Sequence, residues 1–142
     1  MNRAEWSNLF IRLTNHLITI QKWPFEEPVL DIVRCAQSKH RTLAHLRACQ
    51  EQWLEVVTLF AQRESPSVTI LHPWSIFESK QYAAQSWDIH MEKFVEDRHK
   101  WLELQHSVDW RQGGKWNRRR DDIGGLTKRL ADHETHHLSF FS

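Results

Sequence analysis

Four long stretches of this chain place apolar residues every three or four positions, and little interrupts them. The first runs from about Arg3 to Gln21, with Trp6, Leu9, Phe10, Leu13, Leu17 and Ile20 on one face. The second spans roughly residues 37–63, with Ser38 as its N-cap and Leu43, Leu46, Gln50, Trp53, Val57 and Phe60 as its stripe. The third covers about 75–106: Ser75 and Glu78 read as a capping box, and Trp87, Met91, Phe94, Val95, Trp101 and Leu102 supply the apolar side. The fourth begins near Leu126 and carries Leu126, Leu130, His133, His137 and Phe140 or Phe141 to the chain end. A short turn is expected around residues 30–35, a short extended piece at 68–70, and a glycine-containing loop over 108–125. Only four glycines and four prolines occur, too few for a sandwich or barrel full of tight turns. The expectation is one all-α domain over residues 1–142, a four-helix bundle.

Composition narrows the function classes. Hydrophobic residues make up 40% and charged residues 26%, as in ordinary globular domains, so whole-chain disorder is not expected. A net charge of +1 gives no general pull toward nucleic acid or an anionic membrane. No run approaches the roughly 18 apolar residues of a membrane span. Residues 1–10 include Arg3 and Glu5 without a continuous apolar run, so no signal peptide is expected. Cys35 and Cys49 make no disulfide framework, which points to a reducing, cytoplasmic location.

The chemistry concentrates in histidine. His133 and His137 stand four apart in the fourth helical segment, so they share a face, and they occupy the apolar stripe. Two interior imidazoles need polar partners, and one divalent metal would satisfy both. With ten histidines in the chain, chance supplies roughly one such pair, so imidazoles satisfied by carboxylates or water are an equal reading on spacing alone. His133-Glu134-Thr135-His136-His137 also matches H-E-x-x-H, in which Glu134 would be a general base. That reading is set aside: Glu134 lies about 100° off the His133–His137 stripe, and a third ligand must come from upstream. His45, beside the stripe of the second helix, is the best upstream candidate, since bundles build metal sites from facing helices. Three His ligands would leave an open position for chemistry.

Leu43-Ala44-His45-Leu46, together with Leu130-Ala131-Asp132-His133-Glu134-Thr135-His136-His137-Leu138, resembles the DinB/YfiT-like superfamily, and Trp87-Asp88 and Asp109-Trp110 are also similar to it. The resemblance covers nearly the whole chain. It implies an up-down-down-up bundle with His45, His133 and His137 as ligands to zinc or nickel. It also implies either a metal-dependent S-transferase or an isomerase using a low-molecular-weight thiol, commonly as a homodimer. The sequence departs from the pattern where the fourth helix stops five residues after His137.

Other residues have less pointed readings. Cys49, one turn beyond His45, is expected to be a buried inert thiol, with metal approach as the alternative. His136 should face solvent or back up a ligand; His16, His40, His72, His90, His99 and His106 are expected at the surface or rim. Glu51 and Glu55 read as solvated charges or an acid/base group, and Asp132 or Glu134 as a carboxylate orienting a ligand imidazole. Lys115, Arg118, Arg119 and Arg120 read as a solvated loop, or as a gatherer of an anionic cofactor or substrate. The leading function is a metalloenzyme acting on a small molecule, by thiol transfer or metal-assisted hydrolysis. The alternative is a non-catalytic bundle with structural or absent metal, serving dimerisation or partner binding. A nucleic-acid binder is the weakest reading, because the charge is balanced.

Overall fold

The computed structural model describes residues 1–29, 38–71, 75, 78 and 81–141, without the side chain of Ala83. Four α-helices fall within them: α1 (Arg3–Gln21), α2 (Lys39–Gln62), α3 (Trp87–Leu102) and α4 (Ile123–Leu138). Each begins where a polar side chain takes up an otherwise unpaired first-turn N–H. Asn2 accepts from the Glu5 amide at 2.9 Å, Ser38 from Arg41 at 3.0 Å, Ser86 from Ile89 at 3.4 Å and Asp122 from Gly125 at 2.7 Å. The first two helices start where the pattern predicts. The third does not: Ser86 is its cap, and a 3-10 turn at Tyr82–Ala84 precedes it. A second 3-10 turn, Glu103–His106, carries it to the predicted end. The capping box at Ser75 and Glu78 encloses positions outside the described residues, as does the turn expected at 30–35. Among the described residues no helix is long and apolar enough to cross a membrane.

Contacts along the helices fix their directions. Met1 lies against Gly124, Arg12 bonds Asp132 at 2.9 Å and the Trp23 and Phe141 rings meet, so α1 and α4 run the same way. Arg47 meets His90 and Gln50 meets the Phe94 carbonyl, so α2 and α3 also run together. Trp6 bonds the Gln105 carbonyl and Arg98 the Leu13 carbonyl, which sets α3 antiparallel to α1. Lys39 approaches Phe141 while His45 meets His133, which sets α2 antiparallel to α4.

The purely helical expectation needs one correction. Residues 113–122 are not a loop but a hairpin, β2 (Gly113–Trp116) and β3 (Arg119–Asp122), and β1 (Ser67–Val68) joins β2 in parallel to complete a three-stranded sheet. The two-residue turn holds Asn117 at φ 46° and Arg118 at φ 68°. Left-handed backbone at both turn positions matches the right-handed twist of the flanking strands. Gly114 allows the third strand: a Cβ there would run into the Pro66 carbonyl, which accepts the Lys115 N–H at 2.8 Å. The Asn117 side chain accepts from the Ile70 amide at 2.9 Å, tying the end of this strand to the turn.

At the centre of the four helices sits a buried ion pair, Arg98 with Glu134, both side chains fully out of solvent. The Arg98 guanidinium also donates to Gln50 Oε1 at 2.7 Å and to the Leu13 carbonyl at 2.9 Å. Glu134 reaches His16 Nδ1 at 3.0 Å. All four helices therefore meet at one charge pair, and each polar atom of the guanidinium is used. Truncating one partner strands the other charge, which typically costs about 3–5 kcal/mol. We expect Glu134→Ala to lower the unfolding free energy by about that amount in urea titrations. Adding Arg98→Met should return most of the loss. A loss under about 1 kcal/mol for the single variant would contradict a desolvated pair.

Candidate metal-binding pocket

His45, Cys49 and Trp53 stand at four-residue steps on α2, so their side chains line one face of it. Arg129, His133 and His137 do the same on α4. Because the two helices are antiparallel neighbours, these faces meet. His45 Nε2 lies 3.1 Å from His133 Nε2, and Cys49 Sγ lies 3.7 Å from His45 Nε2 and 4.0 Å from His133 Nε2. The three ligand atoms fall within 4.8 Å of one another. Nitrogen and sulfur held at about 2.0–2.3 Å by one tetrahedral ion would stand about 3.3–3.6 Å apart. The set is close to that geometry without rearrangement. Imidazole and thiol are donors for zinc, nickel or copper rather than for magnesium or calcium.

The His137 ring centroid is 4.8 Å from that of His45 and 4.6 Å from that of His133, both edge-on. It adjoins the group without belonging to the three-atom cluster. Cys49 is the residue the sequence undervalued. Its thiol is buried, and burial, with the Glu134 carboxylate nearby, pushes it up to about 12, so without a cation beside it the sulfur stays protonated. Burial pushes His133 down to about 4, helped by neighbouring His137, and His137 is shifted the same way by burial and by His136. Neutral imidazoles are the form that ligates metal.

The cluster forms the floor of a pocket of about 540 Å³, lined further by Trp53, Ile70, Leu71, Trp116, Asn117, Arg119 and Arg129. That volume lies within the usual range for small-molecule sites. The β-sheet supplies one wall. Of the predicted basic cluster, only Arg119 reaches the pocket; Lys115, Arg118 and Arg120 are exposed elsewhere on the hairpin. Arg129 was not anticipated, although its place one turn before His133 is a readable signal.

Several expectations need correction. Neither Asp132 nor Glu134 orients a ligand imidazole. Asp132 pairs with Arg12 and Lys128, Glu134 with Arg98 and His16, and His133 Nδ1 is buried with no hydrogen-bond partner among the described residues. Glu134 sits deeper than His133, because the most buried line of α4 is Ile123, Thr127, Leu130, Ala131 and Glu134. His16 is thus part of the central polar node rather than a rim residue. His40 and His90 are buried too. His40 Nε2 donates to the Gln85 carbonyl at 2.8 Å, and His90 Nε2 to the Tyr82 carbonyl at 2.7 Å. Glu51 accepts from the Tyr82 hydroxyl at 2.6 Å and pairs with Arg47; with exposed Glu55 it borders a separate hollow between α2 and α3. Neither faces the histidines. His99, His106 and His136 are exposed as expected, and His72 lies outside the described residues.

One buried histidine, His90, and one partly buried, His133, set a pH dependence. Burial pushes both His90 and His133 from 6.5 to about 4. Between those values the unfolded chain binds protons that the folded chain refuses, so acidification favours unfolding. Chelator-treated protein should lose denaturant resistance steadily as pH falls from 6.5 toward 4, and His90→Gln should flatten part of that slope. A midpoint unchanged across that window would contradict rings that the fold keeps neutral.

Compared with known family models, with curated proteins and with solved structures, the chain matches none.

Proposed function

We propose that this protein is a metal-dependent enzyme for a small molecule, with one divalent ion held by His45, His133 and His137 and with Cys49 beside it. The observation that carries this is the convergence of His45, Cys49 and His133 on a point at the floor of an accessible pocket. A floor of ligands beneath open space is the form of a catalytic site, which keeps a position for water or substrate. The helix directions also agree with the up-down-down-up course that the DinB/YfiT-like resemblance implies. Zinc or nickel suits the donor set, and when bound it would lower the pKa of a water or a thiol and polarise an oxygen of the substrate. The chain's own part is binding and exclusion. Trp53, Ile70, Leu71 and Trp116 make the rest of the pocket's lining largely apolar and restrict water. S-transfer from a low-molecular-weight thiol follows from the resemblance, hydrolysis from the site. A cytoplasmic location and a homodimer complete the reading; an unpaired, buried Cys49 suits a reducing compartment.

One observation favours the second reading, a structural metal in a non-catalytic bundle. Cys49 together with three histidines would make four protein donors, and four donors close a zinc site.

Elemental mass spectrometry separates these. Wild type should carry about one equivalent of zinc or nickel, with loss in His45→Ala, His133→Ala and His137→Ala. Cys49→Ser should keep the metal if the sulfur is a neighbour, and lose it if the sulfur closes the site. A chelator should then abolish turnover while barely moving the melting temperature; a large fall in melting temperature would favour the structural reading. Wild type that takes up neither metal, even when supplied, would sink both.

A further inference from the structure

We propose that Trp116, Arg119 and Arg129 form an anion-binding subsite at the pocket, so that its ligand carries a carboxylate or phosphate group. This rests on the reading of the pocket as a substrate site, though not on the identity of the metal.

Among the described residues the pocket's lining contains no Asp or Glu, and its permanent charges there are Arg119 and Arg129. The two come from different elements. Arg119 opens β3 directly opposite Trp116 across the hairpin turn, and Arg129 is on α4. Their guanidinium carbons lie 5.3 and 5.5 Å from the centroid of the Trp116 ring. That ring is itself fixed: it is buried, and its Nε1–H donates to Asp121 at 3.2 Å. A guanidinium held against an aromatic face keeps its N–H edge available for the two oxygens of a carboxylate or phosphate.

The nearby carboxylates do not compete for these cations. Asp132, three positions beyond Arg129, is occupied by Arg12 and Lys128. Asp122 caps α4 through the Gly125 amide, and Asp121 accepts from Trp116 and from the Asp122 amide. Neither Arg119 nor Arg129 forms an ion pair among the described residues. Two like charges beside one ring repel, and an anion bound at either relieves that repulsion.

Placement gives the ligand a length as well as a charge. Arg129 is one turn before His133 on the same face, a rise of about 6 Å. An oxyanion on the arginines therefore sets the rest of a small ligand over His133, His45 and Cys49, with its apolar part against Trp53, Ile70 and Leu71.

The test is calorimetric titration of phenyl phosphate, phenylacetate and the neutral phenylacetamide, at low ionic strength, into zinc-supplemented and chelator-treated protein. Both anions should bind wild type in either form, at least about tenfold tighter than the amide. Arg119→Gln and Arg129→Gln, both at exposed positions, should each weaken the anions by about tenfold and leave amide binding, metal content and melting temperature unchanged. Arg119→Lys should restore part of the loss. Equal binding of the amide, anion binding indifferent to both arginine variants, or no anion binding at all would each overturn the subsite. Anion binding that needs zinc but ignores the arginines would mean direct ligation to the ion, which sinks the subsite and spares the metal reading. Arginine-dependent binding in a protein that takes up no metal would do the reverse.

Discussion

The Arg98–Glu134 pair is the constraint around which this bundle is arranged. Two charges cannot stay in an interior unless their hydrogen-bonding capacity is met. Here the guanidinium is met by Gln50 of α2, the Leu13 carbonyl of α1 and Glu134 of α4, and the carboxylate by His16 of α1. Sliding any helix by one turn would break a member of this set. An apolar core tolerates slippage and repacking; a polar node in its middle tolerates neither, so it defines the register of all four helices at once.

That register places the pocket. Glu134 and His133 are neighbours in sequence but about 100° apart on α4. With Glu134 turned to the centre, His133 turns toward α2, and His137 and Arg129 follow at four-residue steps. On α2, Gln50 binds Arg98 while its neighbour Cys49 faces His133. Core and site therefore share adjacent residues. The carboxylate that H-E-x-x-H would use as a base is committed to holding the bundle together, and the histidines and the cysteine are the groups that line the pocket.

The small sheet extends what the helices begin. Helix faces alone give the His45–Cys49–His133 floor; the hairpin and the segment that follows β1 add Ile70, Leu71, Trp116, Asn117 and Arg119 as a wall. The turn at Asn117 and Arg118 is the hinge of that wall, since it turns Arg119 back beside Trp116 and offers the Asn117 side-chain Oδ1 to the Ile70 amide.

The sequence by itself determined most of the helices and pointed to two of the three residues that converge at the pocket, His45 and His133. Apolar spacing fixed α1, α2 and α4 to within a few residues, because a helix that must bury one face writes that face every three or four positions. The same periodicity put His133 and His137 on one side of α4; His45 was singled out by its place beside the stripe of a second helix that could face it, and by the family resemblance. It could not rank Cys49 above an inert thiol, or tell that Glu134 was buried, because both depend on what a neighbouring helix presents. Phe94, Arg98 and Trp101 on one stripe, and Leu130 and Glu134 on another, carried opposite charges in core positions, but only packing shows that they meet. Of the sheet only the extended piece near 68–70 was legible, from its β-branched residues; the hairpin was hidden because its strands are four residues each, and β1 pairs with it across a long sequence separation. Local pattern records what each segment buries; tertiary structure alone decided which buried faces touch, and so where the charges, the ligands and the pocket came together.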